Sequence, residues 1–157
     1  MPKKARMSSN SKAKSKKATS KKSVKNKPCP QCQAGPEYYR MFFDQYKFDV
    51  DLARELTADG REPFLLEKDD VEHAVAWAHI HEPHLDHVDL KYPGIVAHYW
   101  YVTKEDELLH GTVLIDGHHR AARALRDDVP FYVRILSEDE SKQITMREPE
   151  SVLAKLK

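Results

Sequence analysis

The stretch LIDGHHRAARALR, residues 114–126, decides how this chain is read. The apolar run Val113-Leu114-Ile115 stops at Asp116-Gly117. Two histidines and an arginine follow, and then a small-residue pattern, Ala121, Ala122, Ala124 and Leu125. The pattern predicts a strand that turns into a helix over residues 118–126. Such a junction leaves the first helical N–H groups without intrahelical partners. They converge on one spot, where the helix dipole adds about half a positive charge, and that spot suits a phosphate or a carboxylate. Gly117 allows a ligand close to the backbone and tolerates positive φ. Arg120 adds a planar fork matched to phosphate oxygens, and His118 and His119 can donate hydrogen bonds, carry a proton or bind a metal. The alanines let the helix sit close on a sheet, although they serve equally well as plain helix formers.

Asp116 is the awkward member, because a carboxylate repels a phosphate. Two resolutions follow from its position. It caps the helix by bonding the N–H of His118 or His119, or it holds a divalent cation, Mg²⁺, between itself and the phosphates. His119 and Asp116 are the candidate catalytic residues, with His119 as a phosphate donor or general acid/base. Gly117, His118, His119 and Arg120 are the candidate phosphate-binding residues. Asp116, His118 and His119 together also fit a metal-dependent nuclease, which would need a further acidic ligand.

Working outward, "PGIVAHYWYV" (93–102), "TVLI" (112–115) and "VPFYVRIL" (129–136) read as strands, with "TKEDELLHG" as a polar connector between the first two. "SEDESKQI" opens a C-terminal helix, with Ser137 as cap and Glu140 three places on, a capping box. Upstream, "DVDLARELTADG" (49–60) reads as a short helix with Leu52 and Leu56 on one face, capped by Asp49 or Asp51 and stopped by Gly60. "PFLL" (63–66) is a short strand. "EKDDVEHAVAWAHIH" (67–81) is a helix ending at Pro83, and the aromatic "YYRMFFDQYKF" (38–48) is a strand or an arm over the body. The expected fold is α+β: a small mixed sheet with packed helices.

"IDGHHR" followed by "VPFYV", within residues 93–136, resembles the ParB/sulfiredoxin superfamily: an apolar strand, a glycine-containing loop ending in arginine, a helix, then a Val-Pro-x-x-Val strand. The resemblance covers less than a third of the chain and implies a nucleotide, ATP or CTP, held by its phosphates. The sulfiredoxin loop Gly-Gly-Cys-His-Arg matches at Gly117, His119 and Arg120, but His118 stands where that family has its catalytic cysteine, so sulfinic-acid reduction is not implied. The Gly-Glu-Arg-Arg loop of chromosome-partition ParB proteins is absent, and the chain beyond the last strand is too short for their DNA-binding and dimerisation domains. The Asp-Gly-His-x-Arg loop also resembles that of nucleotide-dependent kinases of free serine, and the chain looks most like small ParB-like domains. The expected reaction class is NTP hydrolysis or phosphoryl transfer, if there is one.

Net charge is +1 over 157 residues, but residues 1–27 carry eleven Lys or Arg and no acid, leaving 15 basic and 25 acidic side chains in the rest. This Lys/Ser-rich segment lacks the apolar side chains that would offset the entropy of ordering, so residues 1–36 are expected to be a disordered tail and hinge, with residues 37–157 as the domain. The tail suits non-specific nucleic-acid binding, a solubilising role, or contact with its own acidic body. It lacks the apolar segment of a secretory signal, and no run approaches a membrane span, so a soluble cytoplasmic protein is expected. Cys29 and Cys32 form a lone C-x-x-C: half of a zinc site, a redox pair, or a solvent-facing pair. "HIHEPHLDH" (79–87) is dense in histidine, yet Pro83 breaks any helical ligand spacing, so a histidine-rich surface loop is expected. His98 shares a strand face with Trp100 and either looks toward the phosphate loop or is half-buried. Tyr99 and Tyr101, on the other face, stack on a base or pack under a helix. Trp77 and Trp100 are expected in the core.

Overall fold

Strand β4 (Gly94–Val102) is the spine on which the rest is built. The computed structural model describes residues 35–156; Cys29, Cys32 and the basic segment 1–27 lie outside the described residues. β4 pairs antiparallel with β5 (Leu108–Asp116) and, over Gly94–Val96 only, parallel with β6 (Phe131–Ile135). β6 in turn pairs antiparallel with β3 (Phe64–Leu66), giving a four-stranded sheet of order β3-β6-β4-β5. A second sheet, β1-β2-β7, joins the hairpin β1 (Tyr38–Met41) and β2 (Tyr46–Asp49) to β7 (Thr145–Arg147). The fold is α+β with a mixed sheet, as the sequence predicts, but it has two small sheets rather than one.

Two apolar clusters hold the layers together. On one face of the larger sheet, Ile95, Ala97 and Ile115 pack with Tyr46, Phe48, Ala53, Leu136 and Ile144. On the other, Val96, Leu114, Phe131 and Val133 pack with Val71 of α2 (Lys68–Ala76) and Ala121 and Ala124 of α3 (His118–Asp127). Each large side chain buried this way contributes about 1.5–3 kcal/mol. The fully buried alanines of α3 let its axis approach the sheet, and this fixes where its N-terminus points.

The ends of the elements follow local chemistry. Asp49 caps α1 (Val50–Thr57), its side chain accepting from the Leu52 N–H at 3.0 Å. Ser137 and Glu140 form the predicted capping box at the start of α4 (Glu138–Ile144). β5 begins earlier than the sequence suggested. Leu108–Gly111 is extended because it completes the ladder opposite Tyr99–Val102, and the connector shrinks to a tight turn. Gly111 leaves room there for the Tyr99 ring, whose tip a Cβ would meet at 2.8 Å. The predicted C-terminal helix is divided by β7, which leaves α4 to pair with β2, and the chain then forms α5 (Glu150–Leu156). α2 stops at Ala76, well before Pro83, which instead lies in the first turn of a 3-10 helix, Glu82–His87.

Trp100 is buried as expected, but Trp77 is 81% exposed: it lies at the C-cap of α2, beyond the turn that Val71 anchors on α3. His98 does not face the loop at Asp116; its Nδ1 lies 2.7 Å from Nε2 of His110 on the neighbouring strand. Tyr99 packs under the β1–β2 hairpin rather than under a helix, edge-on to Phe42 and Tyr46. Among the described residues no helix is long and apolar enough to cross a membrane.

Candidate functional site

The loop from β5 to α3 turns on Gly117, which has φ 103° and ψ 19°, a left-handed conformation that disfavours any residue with a Cβ. A Cβ there would also lie 3.0 Å from the Cα of Gly94 and 3.3 Å from the ring of Phe131. A Cβ on Gly94 would in turn meet the Asp116 carbonyl and Phe131, each at 2.8 Å. The two glycines therefore let the loop lie directly on the start of β4. Gly117 is the N-cap of α3 and no side chain caps that end; the first helical bond runs from the Ala121 N–H to the Gly117 carbonyl at 2.8 Å. The amides of His118, His119 and Arg120 precede that bond and have no helical partner.

Asp116 is neither the helix cap nor free for a cation. The Asp116 side chain is 9% exposed, and its carboxylate is held by two arginines. Arg54 of α1 donates from Nε to Oδ2 at 3.1 Å and from Nη2 to Oδ1 at 2.9 Å, and Arg120 donates from Nη2 to Oδ2 at 3.2 Å. Burial opposes ionisation of Asp116, but the Arg54 hydrogen bonds and the Arg120 charge outweigh it and hold the carboxyl below its usual range. The Asp116 hydrogen bonds in turn push the Arg54 guanidinium further into its charged form. Arg54 also pairs with Glu37, at 2.6 Å. Arg120 makes a longer contact to the Pro93 carbonyl at 3.4 Å, and its buried Nε has no hydrogen-bond partner. The forked donor expected to reach outward thus uses one nitrogen on Asp116 and keeps another unpaired.

The two histidines diverge. His118 stacks on Tyr39 of β1, with ring centroids 5.2 Å apart and planes 15° from parallel. Burial lowers its pKa. His119 lies against the 3-10 helix: its Nε2 accepts from the His81 N–H at 3.0 Å, and its ring meets His84 edge-on at 4.9 Å. Burial, with the neighbouring imidazoles of His84, His118, His81 and His79, pushes its pKa down to about 4. His119 is therefore neutral at pH 7, and with Nε2 accepting, its proton sits on Nδ1. The histidine-rich segment 79–87 lies largely at the surface, as expected, and through His81 and His84 it also packs against His119.

Among the described residues no group of three or more His, Cys, Asp or Glu is placed to hold a metal ion. Asp116 does not fit a Mg²⁺ ligand in this arrangement, because both its oxygens already accept from guanidinium groups. Sequence reasoning missed Arg54, Glu37 and Tyr39, which the β1–α1 segment delivers from more than sixty positions away. Nothing in "LARELT" marks Arg54. Gly94 did leave a signal, a glycine at the mouth of an apolar strand, which indicates close backbone approach.

Comparison with protein-family models, with curated proteins and with solved structures gives no match for this chain.

Proposed function

We propose that the Asp116–Arg120 junction is an anion seat that binds the phosphate groups of a nucleotide, within a ParB/sulfiredoxin-like domain. The observation that carries the reading is the uncapped N-terminus of α3, with the Arg120 guanidinium held beside it by Asp116. Backbone amides and a positive dipole end favour a phosphate oxygen, and Arg120 supplies the charge-assisted donor. Asp116 serves this seat by orienting Arg54 and Arg120. His119, neutral and protonated on Nδ1, is suited to donate a hydrogen bond to a phosphate rather than to act as a general acid. Binding is the function proposed; hydrolysis or phosphoryl transfer would follow only if a bound nucleotide is turned over.

The test is titration calorimetry of the wild-type chain and Arg120→Ala with ATP, CTP and ADP, with and without Mg²⁺, alongside inorganic phosphate. Saturable heat with a nucleotide that falls at least tenfold in affinity in Arg120→Ala supports the reading. Equal, negligible heats for both proteins overturn it.

A further inference from the structure

The small sheet β1-β2-β7 turns one face away from the core, and that face carries a row of cations. Tyr39, Met41, Tyr46 and Phe48 pack inward, so alternation puts Tyr38, Arg40 and Lys47 on the outer side. The register sets Arg40 opposite Lys47 and Lys47 opposite Arg147, one cation on each of three neighbouring strands. Like charges set directly opposite each other destabilise a sheet. Two acids share the face. Asp49 caps α1. Asp44 is divided between two guanidinium groups, accepting from Nε of Arg40 and from Nη1 of Arg147, each at 3.0 Å. Each arginine meets it through one nitrogen and keeps its other donors, with side chains 51% and 49% exposed. Among the described residues Lys47 forms no salt bridge; its ammonium lies 4.3 Å from the centre of the Tyr38 ring, where the Arg40 guanidinium also sits, at 5.9 Å. One shared carboxylate therefore answers three aligned cations.

The hairpin that carries two of these cations ends in a strained turn. Phe42, Phe43 and Asp44 have φ of 55°, 53° and 71°, left-handed backbone at three successive residues with a Cβ, a cost that gathers at functional sites. Phe42 folds back, edge-on to Tyr46 and Tyr99. Phe43 is wholly exposed, an aromatic ring held in water at the tip. We propose that this face binds a single-stranded polynucleotide, with Arg40, Lys47 and Arg147 on its phosphates and Phe43 stacked on a base. A polyanion relieves the repulsion built into the row, and an exposed ring is a stacking platform for any base. An anionic membrane fits less well: inserting Phe43 would drag in the neighbouring Asp44 carboxylate, 53% exposed, and Phe42 offers no second anchor. An acidic peptide matches the charges but not the ring. Residues 1–27, which precede the hairpin in the chain, add eleven further Lys or Arg as sequence-independent charge.

Fluorescence anisotropy of the full chain with labelled oligo-dT and oligo-U of roughly fifteen nucleotides tests this. Saturable binding is expected, tighter than to a duplex of the same length and not displaced by polyglutamate or by phosphatidylserine vesicles at equal charge. Phe43→Ala should weaken it roughly tenfold, while Phe43→Trp keeps it, because either ring can stack. Lys47→Gln removes one phosphate contact, so the salt slope should fall by about 0.7 and the affinity about fivefold at roughly 0.1 M salt. Neither side chain is buried, so circular dichroism should show unchanged folds. No binding to either oligonucleotide overturns the proposal. So does preference for the duplex, the vesicles or polyglutamate. Binding that is indifferent to Phe43→Ala and Lys47→Gln also overturns it, since the charge of residues 1–27 would then suffice. The junction at Asp116–Arg120 is tested with mononucleotides, so failure here leaves that reading untouched.

Discussion

Arg54 and Asp116 meet side-on, with Nε 3.1 Å from Oδ2 and Nη2 2.9 Å from Oδ1, so that one guanidinium edge covers both oxygens of a buried carboxylate. The pair ties α1 to the end of β5 and fixes the side chain that would otherwise repel an anion at the neighbouring helix.

Replacing Arg54 by Ala strips Asp116 of two of its donors while leaving it in place. Leaving a buried charged group short of partners costs about 1–3 kcal/mol, although the loss is moderated because the Arg54 side chain is 42% exposed. The Asp116 carboxyl should also titrate at higher pH. Urea denaturation and a carbon-detected NMR titration of Asp116 measure the two effects.

Asp116→Asn removes the charge together with one of the two oxygens that accept from Arg54 and Arg120. A neutral amide removes the negative charge that competes with a ligand for the two arginines, so phosphate or nucleotide affinity should rise, by roughly tenfold for a unit charge at this range. Folding stability should fall. If Asp116 instead held a cation for the ligand, the affinity measured by calorimetry in Mg²⁺ would drop.

Gly117→Ala places a Cβ at φ 103° and 3.0 Å from the Cα of Gly94. Backbone strain of this kind costs about 1–3 kcal/mol, which for a domain of this size lowers Tm by roughly 2–4 °C per kcal/mol. Thermal unfolding followed by circular dichroism measures it.

The part of this junction legible in the sequence is the part that is local. Val113–Arg126 spells strand, turn and helix, because alternation, a glycine and small residues at helical spacing are each read within a few positions. The capping box at Ser137 and Glu140 was legible for the same reason. What Asp116 does was not, since its partner arrives from α1 by way of tertiary packing that leaves no periodic mark. The hairpin at Tyr38–Asp49 was ambiguous because its turn, Phe42, Phe43 and Asp44, takes left-handed backbone at three successive non-glycine residues, with none of the usual turn residues before Asp44. Likewise β7 is a three-residue strand whose identity comes from β2 and not from its own sequence.

His119 should titrate with a midpoint of about 4. Its folded-state pKa lies below the unfolded value, so the unfolded chain binds the proton first. The contribution of this group to stability is complete above the ordinary histidine range and is lost as pH falls from there toward 4. Histidine ring-proton NMR gives the midpoint. His119→Gln, which cannot titrate, should flatten the stability profile over that interval.

Glu140 adds a second acid-sensitive contact, through Arg61. The Arg61 hydrogen bonds, with help from the Ser137 backbone, hold its pKa down to about 2. Its stabilisation is present above the ordinary carboxylate range and is lost as pH falls toward 2. Glu140→Gln should weaken both the capping box and the link to Arg61, costing about 1 kcal/mol at neutral pH. The difference from wild type should vanish in strong acid, as measured by denaturant melts across pH.

Beyond Val96, where β6 no longer accompanies it, β4 turns its peptide groups to side chains. Ser141 Oγ accepts from the His98 N–H at 2.9 Å, and the Tyr46 hydroxyl accepts from the Trp100 N–H at 3.1 Å while donating to the Trp100 carbonyl at 2.8 Å. A phenol here stands in for a missing neighbouring strand. Because Tyr46 belongs to β2, the smaller sheet is stitched into the larger one through an atom that both need, and neither can fray without exposing main-chain groups of the other. The two sheets are therefore bound to melt together, and hydrogen-exchange protection at Trp100 should report the opening of both.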